Sequence, residues 1–512
     1  MNQGHILNVS QPLQDFFFIC CTFTTMAVVF SRVVAPMAFL WLILPLAHAD
    51  KTTKITTDLN PGTWEGWGVS LAWWANIFGD RDDLADIFFT KKSTYWPGGN
   101  ETLPGLGLNI VRYNAGACSS STVNGSTISL SAKIPAAKQI AGYWLDGASA
   151  NPHSSSWDWT VDANQRAMML KAKSRGTNIF ELFSNSPMWW QLSNHNPSGS
   201  NTGGDNLPAS QYENHAIYLA TIAKHAKEHW GVTFDSIEPF NEPAGNWWKS
   251  TGTQEGCHFD ASSQKALIPI LYREMQRQGL HRTIISASDE NSFQAGLNSW
   301  NTITEDIEKK YVGRMNVHGY QGSSGPRYAL QQAARNIGQG VWDSEYGDKD
   351  ASGDTLLQNL MRDLQLLQPT AWVHWQAIDG SGWGLIKGDI NNKTLTNASH
   401  KYFELAHLTR HILPGMQIVN TTSSNVVSAI NEKTETLAVI AGNWNVTQNF
   451  TFDLSALSRV PADGTKVRSW ITDRAGDKLY VRGDDITISD KSFSTDFEAG
   501  TVMTFEVDGV SV

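Results

Sequence analysis

Two glutamates carry the strongest chemical signal in this chain. Glu242 stands in Glu238-Pro239-Phe240-Asn241-Glu242-Pro243, and Glu345 in Trp342-Asp343-Ser344-Glu345-Tyr346-Gly347. Each comes at the end of a short apolar run of the kind that forms a buried strand, so each puts a carboxylate where strand gives way to loop. Paired carboxylates suit cleavage of a glycosidic bond. One, protonated, donates to the leaving oxygen; the other, ionised, attacks the anomeric carbon. A strand-end glutamate taken singly is more often a loop cap or an ion-pair partner. Two of them in aromatic surroundings shift the balance to catalysis. His318 and His374 raise the question of a metal, but there is no i, i+4 histidine pair and no cluster of thiolates, so no metal is expected. Neither a phosphate-binding loop nor a serine nucleophile elbow is present, and no cofactor is expected.

Between about residues 60 and 411 the pattern alternates short apolar runs with longer amphipathic stretches. Strands are predicted near 64–69 and at 107–112, 178–183, 236–240, 283–287, 315–318, 340–343 and 371–375. Helices are predicted at 164–174, 211–229, 263–278, 329–337 and 355–367. Repeated strand–helix–strand units imply parallel pairing through right-handed crossovers, and eight strands point to an α/β fold, a (β/α)8 TIM barrel over residues 61–411. No G-x-G-x-x-G follows the first strand, which disfavours a dinucleotide fold. Glu242 and Glu345 then fall on strands four and seven, whose ends face each other across the barrel mouth. Residues 412–512 read instead as short alternating strands with Asn, Gly and Asp punctuation, an antiparallel β-sandwich; residues 50–60 are expected to lend it a strand.

The chain has 512 residues, a net charge of −10, 17% charged residues and 21 tryptophans. The negative balance argues against nucleic acid. Much indole with little charge suggests a neutral, ring-shaped ligand. Residues 1–49 read as a secretory signal peptide ending in Ala47-His48-Ala49, with the residues before Met26 an extension upstream of the true start. The competing reading is a membrane anchor; the expectation is a secreted, extracellular monomer with no stable membrane association. Beyond the leader cysteines Cys20 and Cys21 only Cys118 and Cys257 remain, and either one disulfide or two buried thiols fits them. N-glycosylation is expected at Asn100, Asn124, Asn392, Asn397, Asn420, Asn445 and Asn449, each in N-x-[ST].

The Asn-Glu-Pro at 241–243 and the Ser-Glu-Tyr-Gly at 344–347 resemble the acid/base and nucleophile motifs of clan A glycosidases. The stretches 64–74, 111–118, 183–190, 256–259, 317–320 and 375–380 extend the likeness to the fungal endo-β-1,6-galactanase branch of glycoside hydrolase family 30. This resemblance implies a retaining hydrolase acting on the β-1,6-galactan side chains of arabinogalactan. It makes Glu242 the acid/base and Glu345 the nucleophile, with Arg112 bonded to the nucleophile and Asn241 at the sugar 2-hydroxyl. Tyr320 lies near the nucleophile, and Trp189 and Trp375 wall the sugar; His318 is expected to orient a carboxylate or a sugar hydroxyl. Of Trp73, Trp74, Trp190, Trp247, Trp248 and Trp383, about half are expected to be packing. Glu181, Asp289 and Glu290 read as buried pairing partners. The alternatives are another family 30 specificity (β-1,6-glucanase, xylanase or glucosylceramidase) and a non-catalytic carbohydrate-binding protein on the same scaffold.

Overall fold

The computed structural model describes residues 51–303 and 305–512; the expected leader, with Cys20 and Cys21, lies outside the described residues. Eight parallel strands close a barrel: Gly66–Ser70, Ile110–Asn114, Ile179–Phe183, Ser236–Glu238, Ile284–Glu290, Val312–His318, Gly340–Tyr346 and Ala371–His374, the first to eighth barrel strands below. Their residues are largely buried, as befits strands covered on both faces. Each is followed by a helix, from Ala72–Phe78 after the first to His400–Thr409 after the eighth.

The sequence pattern did not reveal several of these elements. Ala72–Phe78 is buried on nearly every side, so it has no polar stripe to betray its period. In His400–Thr409 every residue but His400 is buried, because the helix lies between the barrel and the C-terminal strands. The long helix expected over 211–229 ends as an α-helix at His225 and continues as a wide turn, Ala226–Trp230, which Gly231 closes at a φ of 66°.

The C-terminal strands form one ten-stranded assembly that includes Lys51–Leu59. That strand pairs antiparallel with Gln417–Thr421 and, through its first residues, parallel with Gln448–Asp453, and so joins two layers. Between the layers lies a core of its own. Phe450, Phe452, Phe493 and Phe497 meet Leu437, Val439 and Phe505, with the Phe452 and Phe505 rings 5.0 Å apart. The opposite side of the sheet, through Val427, Ala438, Ile440 and Val502, joins the main core of the barrel. His407 pins this joint: its Nδ1 is 2.8 Å from Thr504 Oγ1 and its Nε2 2.9 Å from Thr472 Oγ1. None of the seven sequon asparagines is buried, and among the described residues no helix is long and apolar enough to cross a membrane.

Because Phe505 is fully buried among three aromatic neighbours and aliphatic residues, Phe505→Ala is expected to cost about 3–5 kcal/mol of stability. Urea unfolding followed by tryptophan fluorescence measures it, and a midpoint equal to that of the wild type would contradict this view of the core.

Candidate active site

The barrel lumen beneath its mouth is filled by charge. Arg112, on the second strand, is completely buried. Its Nε donates to Glu181 Oε1 at 2.9 Å, its Nη2 to Asp289 Oδ2 at 2.5 Å, and its Nη1 to Glu345 Oε2 at 3.0 Å. One guanidinium thus joins strands three, five and seven. Burial alone would weaken its hold on the proton, but Asp289, Glu181 and Glu345 overcome that and drive its pKa upward. Glu181 is also bonded by Arg314, Asn316, Ser236 and Ser286, donors that satisfy a carboxylate with no access to water. Burial opposes its ionisation, yet Arg314 and Arg112 leave its pKa below the ordinary value. Nearby Glu238 has no such partners; burial, with Asp289 and Glu181 adding to it, pushes it well up, so it is held protonated.

Glu242 and Glu345 stand above this network. Glu345 is the last residue but one of the seventh strand, and its Oε1 accepts from Tyr320 at 2.9 Å. Glu242 lies four residues past the fourth strand at a φ of 49°, a region that costs energy for any residue but glycine. Its backbone N–H donates to Asp289 O at 2.8 Å, and its carbonyl accepts from Gly245 N and Trp248 Nε1, each at 2.9 Å. The Glu242 Oε1 accepts from Asn291 Nδ2 at 2.7 Å. Between the two carboxylates sits His318, the last residue of the sixth strand: Nδ1 is 3.2 Å from Glu242 Oε1 and 3.6 Å from Glu345 Oε1. Its Nε2 is 3.1 Å from Asp289 Oδ2. Burial disfavours the imidazolium, but Glu345 and Asp289 outweigh it and raise its pKa well above the ordinary value. Carboxylate oxygens of Glu242 and Glu345 lie within 4.8 Å of each other. Burial pushes the Glu345 carboxyl up to about 7, a shift that His318 and Arg112 oppose and that Glu242 and Asp289 increase. The Tyr320 hydroxyl, its pKa raised by burial and by both glutamates, keeps its proton and remains a donor.

Glu242, His318 and Glu345 have the composition of a cation site, but Arg112 and the imidazolium already supply positive charge to these carboxylates. The cleft above them has a volume of about 640 Å³. Asn241, Tyr320, Trp375, Trp73, Trp247 and Trp383 are in its wall, with Lys138, Asp379 and Asn291 supplying polar groups. Asn241 Oδ1 is buried without a hydrogen-bond partner among the described residues.

Some expected residues sit elsewhere. Trp189 does not line the cleft: its indole is fully buried, with Nε1 donating to Ser119 Oγ at 2.7 Å. His318 and Arg112 touch the carboxylates from below rather than the open cleft. The disulfide considered for Cys118 and Cys257 is not formed; both are buried free thiols. Cys118 Sγ is turned to Glu255 Oε1 at 3.3 Å and Cys257 Sγ to the carbonyl of His258 at 3.6 Å, each satisfied by its own partner. Sequence reasoning overlooked Asn291, Lys138 and Asp379. Asn291 directly follows the polar Asp289-Glu290 that ends the fifth strand, a signal that could have found it.

A family model described as O-Glycosyl hydrolase family 30 matches residues 50–309. The chain is 50% identical over 481 residues to the curated endo-beta-1,6-galactanase of Hypocrea rufa, a match covering 93% of this chain and 99% of that one. Among solved structures it is similar to a conserved exported protein from Bacteroides fragilis (TM-score 0.71, 18% identity, 89% of this chain and 100% of that one). It is also similar to the catalytic domain of a family 30 xylanase C from Talaromyces cellulolyticus (TM-score 0.67, 18% identity, 89% and 100%). These structures speak to the fold alone, whereas half identity across nearly the whole chain speaks to descent: the chain belongs to glycoside hydrolase family 30.

Proposed function

We propose that this chain is a secreted endo-β-1,6-galactanase that opens the β-1,6-galactan side chains of arabinogalactan with retention of anomeric configuration. The observation that carries the mechanism is the approach of the Glu242 and Glu345 carboxylates to within 4.8 Å. Inverting enzymes keep their two carboxyls roughly 6.5–9.5 Å apart to admit a water; a pair this close suits direct attack on the sugar. The galactan specificity is supported by the 50% identity to the Hypocrea rufa enzyme.

The partners of each carboxylate divide the labour. Within this network the positive groups are Arg112, Arg314 and His318; were Glu181, Asp289, Glu242 and Glu345 all ionised, 3 − 4 would leave one negative charge. A single proton on the catalytic pair removes it, which buried charge demands. Glu345 accepts from a guanidinium and a phenol, donors that favour its ionised form, whereas Glu242 faces an amide and the shared imidazole. These partners cast Glu345 as the nucleophile and Glu242 as the proton donor of the reaction. In the first step a Glu345 oxygen bonds to the anomeric carbon as the bond to the leaving oxygen breaks and that oxygen takes the Glu242 proton. In the second, Glu242 accepts a proton from water, whose oxygen bonds to the anomeric carbon and releases Glu345. The unpaired Asn241 Oδ1 is suited to accept from the sugar 2-hydroxyl.

Incubating the mature protein with de-arabinosylated arabinogalactan, β-1,6-glucan and xylan tests the specificity. Short β-1,6-galacto-oligomers, first formed as the β-anomer, are expected from the first polymer alone; release of glucose or xylose oligomers would overturn it. Glu345→Ala should lower turnover at least about 10³-fold, and azide should restore it on an activated aryl glycoside with the α-azide as product. Wild-type rates in this variant would remove Glu345 from the reaction. Glu242→Gln leaves no proton donor, so turnover of a glycoside with a poor leaving group should fall at least about 10²-fold. With a fluoride leaving group, which needs no acid, formation of the glycosyl-enzyme by this variant should stay near the wild-type rate; an equal loss on both substrates would contradict Glu242 as the acid.

A further inference from the structure

We infer that Trp247 is the platform on which the leaving-group side of the substrate stacks, so that the galactosyl unit beyond the cleaved bond is held by its indole. This rests on the assignment of Glu242 as the acid, because the loop that continues from the acid borders the departing sugar. The tryptophans of the cleft come from distinct segments of the chain. Trp375 and Trp383 pack beside Gly347, two residues past Glu345, where a Cβ would come within 3.2 Å of the Trp383 ring. Trp247 belongs instead to the loop that leaves Glu242, five residues on.

Trp247 is 47% exposed, although it lies in the wall of a cleft whose other described tryptophans are covered or half-covered. Its ring lies against Gly245, where a Cβ would meet Cε2 and Cζ2 at 2.5 Å, so the loop requires glycine to let the indole lie down on it. Trp248 stands 6.0 Å from that ring, tilted by 58°, and much of the remaining ring is open where it lines the cleft. Trp73 by contrast already has the Lys138 ammonium 3.6 Å over its ring. The loop under Trp247 is also braced. Trp248 Nε1 and Gly245 N both donate to the Glu242 carbonyl, and the Gly245 carbonyl is 3.1 Å from His258 Nδ1. His258 Nε2 in turn lies 3.1 Å from Asp260 Oδ1 and 3.7 Å from Asp205 Oδ1, which ties the loop to the start of the helix Ala261–Arg277. A flat, amphipathic ring on a fixed loop binds the C–H face of a pyranose at low entropic cost.

The glycosyl-enzyme reports on this subsite directly. With β-galactosyl fluoride as donor and β-1,6-galactobiose as acceptor, the Glu345 ester is cleaved by water or by an acceptor hydroxyl, whose oxygen bonds to the anomeric carbon and whose proton passes to Glu242. The ratio of transfer to hydrolysis counts only active molecules, so a partly unfolded variant does not distort it. Trp247→Ala should lower that ratio about tenfold, the loss of one stacking contact, while Trp247→Tyr should keep most of it. A ratio unchanged in Trp247→Ala, or equally low in Trp247→Tyr, would overturn the platform. If the wild type releases no galactose from the fluoride, the galactosidase reading itself fails, and the platform with it.

Discussion

A single buried guanidinium organises this molecule. Arg112 has no contact with water, and every one of its nitrogens is committed to a carboxylate from a different barrel strand. Strands three, five and seven could slide or rotate relative to strand two only by stranding a charge in the interior, which costs several kcal/mol. The register of the barrel and the position of Glu345 are thus one constraint rather than two. In most barrels of this type the lumen is filled by layers of branched apolar side chains. Here Glu181, Arg314 and Asn316 take that place, and hydrogen bonds, which are directional, fix rotamers where apolar contacts would tolerate small shifts.

The same network sets the electrostatics of the cleft. Asp289 holds both Arg112 and His318, and Ser344 donates to its other oxygen at 2.6 Å, so a residue that touches no substrate governs the orientation of the groups on either side of it. His318 then spans the two glutamates. Titration of any one of these groups is felt by the rest, and the site behaves as a unit with macroscopic steps rather than as a list of independent acids.

Much of this was legible in the sequence. The alternation of strands and helices produced the barrel, and the polar residues interrupting strand ends at Glu242 and Glu345 located its chemistry, because strand periodicity dictates where a side chain must leave the core. The tryptophan pairs were not legible. Trp73-Trp74, Trp189-Trp190 and Trp247-Trp248 look alike as text, yet Trp73 and Trp247 reach the cleft while Trp74 donates to Ser70 O and Trp189 is sealed inside. Loop conformation decides between them, and no period governs a loop. The cysteines present the same difficulty: two strand-end loops near one barrel face suggest a bridge, but the direction of each thiol depends on Glu255 and on the His258 carbonyl.

The strand Lys51–Leu59 has a consequence for how the protein is made. Its partners are Gln417–Thr421 and Gln448–Asp453, and Thr56 bonds to Asn420 across 364 residues. In sequence the whole barrel is therefore an insertion into the sandwich. During vectorial synthesis all eight barrel strands emerge before the first of these partners exists, so the barrel must be competent to collapse while its own leading strand is still an open edge. Only when the last hundred or so residues arrive does the sandwich close around that strand and cover the flank of the barrel that Ala438, Ile440 and Val502 occupy. The small domain is not a detachable appendage but a clasp, fastened last.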